Sequence, residues 1–162
     1  MPSSLLTQFR GELDTGWAEE LRPVEHAALV LLADIADEVS AAGDDGLRFQ
    51  YVACSGRRYR ALLRINEGER QVMVLVFPEL PPGAAPGFAP ALIAHLNARI
   101  ASGRFEQVAG ERAPAFRNAM RISQESAVEA IRRLVDASTL PLELFEAAAR
   151  RMSRRGRAHR FH

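Results

Sequence analysis

The chain has 162 residues, 48% of them apolar, and a formal net charge of +1. That length and composition suffice for one domain with a core of its own, and the single cysteine, Cys54, can build neither an internal disulfide nor a multi-thiolate metal site. All 21 basic residues are arginine, which excludes a Schiff-base lysine, a phosphate-loop lysine and a lysine general base.

The small net charge conceals a gradient along the chain. Residues 1–46 carry −8, residues 47–146 carry +3 and residues 147–162 carry +6. The opening Met1-Pro2-Ser3-Ser4-Leu5-Leu6 has no basic segment followed by a long apolar one, and no run approaches the roughly 20 apolar residues of a membrane span. A cytoplasmic protein in a reducing compartment is expected.

Leu5, Leu6, Phe9 and Leu13 fall on one face of a short helix, and Trp17 and Leu21 continue a second turn. From Val24 to Ala42, Ala28, Leu31, Leu32, Ile35 and Val39 make one apolar stripe, which predicts an amphipathic helix ended by Gly43. Three strands follow. Leu47, Phe49, Tyr51 and Ala53 share a face in the first. In the second, Tyr59, Ala61, Leu63 and Ile65 oppose Arg58, Arg60, Leu62 and Arg64. The third, Arg70 to Phe77, is short, β-branched and uncharged after its first residue, the pattern of a central strand buried on both faces.

The Pro-rich stretch Pro78 to Gly87 is a stiff crossing loop, so the next element need not lie beside the third strand. Pro90 sits early in a helix bearing Leu92, Ile93, Leu96 and Ile100, ended by Gly103. Arg104–Ala109 and Ala115–Ile122 form a second hairpin. Ser123 caps a helix bearing Val128, Ile131, Leu134 and Val135, and Pro141 opens a last one bearing Leu142, Phe145, Ala148 and Met152. This order predicts an α+β fold: an antiparallel sheet of about five strands, a three-strand meander plus a hairpin, packed against helices with extra helices at both ends.

Leu96-Asn97-Ala98-Arg99-Ile100 closing a helix, Gly103-Arg104-Phe105-Glu106 opening a strand and Phe116-Arg117-Asn118 in the next strand resemble the signature of the YbjN-like family, which shares the fold of class I type III secretion chaperones. The resemblance in element order spans about residues 24–137. It implies a non-enzymatic, protein-binding module, chaperone-like or regulatory and often dimeric, with no catalytic residue to carry over. In the related chaperones the partner segment is extended, a mode that a sheet edge supports through backbone hydrogen bonds. The organisation expected is a single domain over 1–162. It comprises a helical extension over 1–22, a YbjN-like core over 23–137, a C-terminal helix over 138–152 and a basic tail over 153–162.

No constellation in the sequence specifies catalysis, a cofactor or a metal. His26, His95, His159 and His162 lack the spacing of a ligand set, apart from the last two in the tail. Cys54 has Arg57 and Arg58 nearby to favour a thiolate, but no histidine base close in sequence. The candidate contacts are cationic: Arg48, Arg58, Arg60 and Arg64 on the strands, and Arg150, Arg151, Arg154, Arg155, Arg157 and Arg160 toward the end. They suit an acidic protein partner, an outside one or the chain's own acidic N-terminal region. The alternative is a nucleic-acid-associated accessory factor, with Tyr51 and Tyr59 as stacking platforms. Strand alternation puts both tyrosines on the apolar face, opposite most of the arginines, which favours the protein partner.

Overall fold

The computed structural model describes residues 23–42, 46–66, 68–81, 89–122 and 127–158. The readings made for residues 1–22, for Gly43, for Ser123 and for Arg160 within the last four residues lie outside the described residues, as does most of the crossing loop.

Helix α1 (Pro23–Ile35) begins on a proline, whose missing N–H is no loss in a first turn. Ala28, Leu31 and Leu32 are fully buried and Asp34 is exposed. The helix was expected to run to Ala42. It stops at Ile35, and Ala36–Ala41 is strand β1. The reason lies in pairing. Val39 continues the helical stripe from Ile35, but a single apolar residue also satisfies the inward side of a strand, and spacing cannot separate the two. Here Val39 lies opposite Phe49 of β2 (Gly46–Val52), and the hairpin closes with Ala42 N–H donating to Gly46 O at 2.8 Å. One extra residue, Asp37, breaks the register between Ala36 and Glu38 as a bulge.

Strand β3 (Arg58–Asn66) alternates throughout, with Tyr59, Ala61, Leu63 and Ile65 buried and Arg58, Arg60 and Arg64 exposed. Arg70 adopts the left-handed conformation (φ 50°), so β4 starts one residue later than expected and covers Gln71–Phe77. After the crossing loop come α2 (Ala89–Asn97), β5 (Arg104–Glu106) and β6 (Ala115–Arg121). The strands form one sheet, antiparallel at every pairing, in the order β1-β2-β3-β4-β6-β5. The architecture is the expected α+β one, with β1 as a sixth strand, and the crossing loop carries the chain past β6 to the far edge.

Helix α3 is a single element, Ala127–Ala158, with Pro141 inside it. Two helices and a loose tail were expected. Pro141 removes the N–H that the carbonyl of Ala137 would take, a substantial local loss. In the preceding turn Ser138 Oγ donates to Leu134 O at 2.7 Å and Thr139 Oγ1 to Val135 O at 3.4 Å, so hydroxyls supplement the backbone there. Ile131, Leu134, Leu142, Phe145 and Ala149 keep one buried stripe in phase across the proline, and that burial outweighs the break.

Helices α1 and α3 cover the sheet face that carries Val72, Val74 and Val76, all fully buried. On that face Phe49, Tyr51 and Tyr59 run as a row with ring centroids 5.8 and 6.0 Å apart. At the other end Phe105 packs 5.1 Å from Phe116 and 5.3 Å from Phe145. Gly103 makes that approach possible. Its φ is 79°, and a Cβ there would meet Phe116 Cζ at 2.5 Å and Arg117 O at 2.7 Å.

Candidate partner-binding face

The pleat sends every other residue of each strand away from α1 and α3, and the registers bring those residues into rows. Gln50 stands opposite Arg60, and Arg60 opposite Phe77. In the next row Arg48, Leu62, Leu75, Arg117 and Arg104 cross the sheet from β2 to β5. Arg64 and Met73 follow. Leu62, Met73, Leu75 and Phe77 therefore make an apolar strip edged by guanidinium groups. Among the described residues no element packs over this strip. The loop bearing Val108, Ala109 and Glu111 rises at one border and leaves a concavity of about 670 Å³ against Arg48, Arg60 and Arg64.

The expectation that β4 is buried on both faces is thus corrected. Leu75 is 8% exposed, but Met73 and Phe77 are only half-buried. Arginine stems and heads shield them in place of a helix. The Arg60 guanidinium lies 5.3 Å from the Phe77 ring centroid, and Arg117 Nε lies 2.9 Å from Met73 Sδ.

Some of these cations are already paired. Arg58 meets Asp37 at 2.8 Å, Arg60 meets Glu111 at 3.2 Å, and Arg104 and Arg117 each lie 3.6 Å from Glu106. The bulge at Asp37 is what presents that carboxylate to Arg58. No carboxylate among the described residues pairs with Arg48 or Arg64. The face is therefore electropositive around its apolar strip, with exposed and weakly held pairs at its border.

All four strand arginines singled out in the sequence, Arg48, Arg58, Arg60 and Arg64, share this face. The C-terminal set does not join them. Arg150, Arg151, Arg154 and Arg155 are exposed on the last turns of α3, with Arg157 on the same helix, and the helix layer separates them from the open face. Sequence reading missed Arg104 and Arg117, because the pairing of β6 with β4 is non-local. Tyr51 and Tyr59 are buried, at 3% and 1% exposure, so neither can stack on a nucleobase.

A second cluster sits at the end of the sheet. Glu146 is almost wholly buried on α3, forms an ion pair with Arg57 from the β2–β3 turn, lies 3.9 Å from Arg150 and accepts the Glu79 N–H at 3.1 Å. Burial pushes its carboxyl up from the ordinary carboxylate range, against the opposing pull of the Glu79 N–H and the two arginines. Burial likewise pushes the Tyr51 and Tyr59 phenols up to about 12. Tyr51 shares a 3.0 Å hydrogen bond with Thr139. The Tyr59 hydroxyl is buried without a partner among the described residues.

Cys54 is exposed in the β2–β3 turn. His95 lies on α2, its Nδ1 3.0 Å from Arg99 Nη1. Among the described residues no three of His, Cys, Asp and Glu gather closely enough to hold a metal ion. No described helix is long and apolar enough to cross a membrane.

No protein-family model and no curated protein matches the chain. The class that the sheet and its one-sided helix layer define is α+β with a continuous antiparallel sheet. Among solved structures the chain is similar to YbjN from E. coli, a candidate transcription regulator, at 12% identity and a TM-score of 0.48, covering 80% of this chain and 94% of that one. At that score the likeness concerns the arrangement of elements and extends to no residue or activity.

Proposed function

We propose that the chain is a non-enzymatic protein-binding module, chaperone-like or regulatory, that works as a homodimer and holds an acidic, partly apolar segment of a partner protein on the open face of its sheet. The observation that carries this is the strip Leu62, Met73, Leu75 and Phe77, shielded by arginine side chains and by no described helix, and bordered by Arg48 and Arg64, which pair with no carboxylate among the described residues. An apolar seat supplies contact area, and the surrounding guanidinium groups select carboxylates and fix orientation.

The test is capture from the native host by cross-linking, with the wild-type protein and an Arg48→Glu/Arg64→Glu variant side by side. Both side chains are exposed, so the variant keeps its fold. A partner retained by the wild type, released by added salt and lost from the variant supports the proposal. Identical capture by both proteins overturns the assignment of this face. Light scattering at micromolar concentration tests the dimer separately.

A nucleic-acid partner is the weaker reading. Its two arginine groups lie on opposite sides of the molecule, and both tyrosines face the core. It predicts a retarded DNA probe at low salt, an effect that removal of residues 150–162 abolishes.

A further inference from the structure

A groove of about 540 Å³ runs between α2 and the last turns of α3, on the helical side of the molecule and apart from the open sheet face. Leu92 and Leu96 line it from α2, and Leu144, Ala148 and Met152 from α3. Leu144 is 51% and Met152 39% exposed, and Leu140, one turn before Leu144, is 62% exposed. Leu140, Leu144, Ala148 and Met152 recur at every fourth position, so they form one ridge about 18 Å long on α3. An apolar ridge of that length left to water marks a contact surface. The charged lining is wholly cationic, Arg99, Arg151 and Arg155, with no carboxylate among the lining residues. Arg99 is steadied by its own helix: its Nη1 donates to His95 O at 3.2 Å and lies 3.0 Å from His95 Nδ1.

We propose that this groove is the docking site for an acidic, amphipathic α-helix of a partner protein. The walls and the charge together select that occupant. Both walls are helices, whose backbone N–H and C=O groups bond within themselves, so a visitor finds no backbone partner here and must satisfy its own. A helix does so, and an extended segment does not. A third helix laid between two packed ones makes an ordinary ridge-into-groove contact, and the row at every fourth position on α3 supplies the ridge. The cationic rim selects glutamate or aspartate beside the visitor's apolar stripe. A flat lipid surface fits worse, because it would rest on the α3 ridge and leave the floor at Leu92 and Leu96 empty. This site stands independently of the open sheet face, which offers strand backbone and a different set of arginines.

The probe is a synthetic, fluorescein-labelled helix of about 20 residues, long enough to be helical in water, with leucine at i, i+3, i+4 and i+7 and glutamate on its flanks. Fluorescence anisotropy follows its titration with the whole chain. The expected result is saturable binding about tenfold tighter or more than that of the same helix with lysine for glutamate. Leu144→Asp, and independently Arg151→Glu/Arg155→Glu, should each weaken it by about tenfold or more. Circular dichroism and the melting temperature stay unchanged in both, because these side chains are on the surface. Arg48→Glu/Arg64→Glu on the open face binds the helix as the wild type does, so failure at one face is read separately from failure at the other.

Equal affinity for the acidic and basic helices overturns the proposal, as do groove variants that bind the acidic helix as tightly as the wild type. A proline-interrupted peptide of the same composition that binds equally well overturns the helical occupant. A mass that doubles with concentration in the wild type and not in Leu144→Asp would give the groove to a second copy. Sedimentation with phosphatidylserine vesicles that Leu144→Asp abolishes would give it to a lipid surface. Either result overturns the partner helix.

Discussion

Asn97, the last residue of α2, holds the outer margin of β5, and its replacement should have a cost that depends on pH. In an antiparallel ladder alternate residues direct both backbone groups away from the paired strand. Phe105 is such a residue in β5, and its outward groups are both taken by one side chain. Asn97 Nδ2 donates to Phe105 O at 3.0 Å, and Phe105 N–H donates to Asn97 Oδ1 at 2.7 Å. Asn97→Ala leaves a donor and an acceptor in a half-buried place, at about 1 kcal/mol each, so the loss should be about 2 kcal/mol. For a chain of this size that lowers Tm by roughly 4–8 °C. Asn97→Asp keeps the acceptor but sets a carboxylate oxygen against the Phe105 carbonyl, so it should cost about 2 kcal/mol or more at pH 7. At pH 4 and below the protonated acid can donate, and the gap to the wild type should narrow. Urea unfolding followed by circular dichroism at both pH values measures this. An Asn97→Ala variant within about 0.5 kcal/mol of the wild type, a change ordinary for a surface site, would refute the reasoning, as would an Asn97→Asp deficit that does not shrink in acid.

Both tyrosines of the chain are shifted up to about 12. The native protein should show almost no rise in tyrosinate absorbance between pH 10 and 11, where the urea-unfolded chain titrates. Each raised phenol contributes stability that is fully present below the unfolded value near 10 and is lost as pH climbs toward 12. Tyr51→Phe breaks the bond to Thr139 and should cost about 1 kcal/mol, whereas Tyr59→Phe removes a buried hydroxyl that has no partner among the described residues and should be neutral or stabilising, both by chemical denaturation. Gly103→Ala combines a positive φ with a Cβ clash against Phe116 and the Arg117 carbonyl, and should destabilise by about 2–4 kcal/mol in the same assay. Arg57→Ala strands the Glu146 carboxylate in its buried place. The folded value is raised, so stability from this group is present below the unfolded pKa and falls as pH rises through the folded one; the variant's deficit should be larger at pH 7 than at pH 4.

The period-2 signal of β3 was legible to the residue, and with it the outward course of Arg58, Arg60 and Arg64. The motif around Asn97 and Phe105 was legible too, although the paired hydrogen bonds behind it depend on how α2 sits against β5. What stayed hidden was non-local. β1 exists because β2 is beside it, and six residues with one inward side chain carry no periodicity that distinguishes a strand from a helical turn. Pro141 marked a boundary by local rules that a buried stripe running through it overrode. Arg117 joined the candidate face only through the pairing of β6 with β4. Glu146 lay on a helical stripe otherwise read as apolar, and its partner Arg57 comes from a turn far away in the chain.

The two margins of the sheet differ in what they offer to a visiting strand. At β5 the outward groups of Phe105 are already taken by Asn97, whereas at β1 the bulge at Asp37 is followed by four residues, Glu38 to Ala41, in regular register with β2. Lateral addition of a strand, a mode expected from the chaperone resemblance, is therefore obstructed at the β5 margin. Backbone-to-backbone zippering tolerates almost any visitor. With that margin closed, a partner held on the broad face as proposed would be chosen by shape and charge, properties that a handful of codons can rewrite.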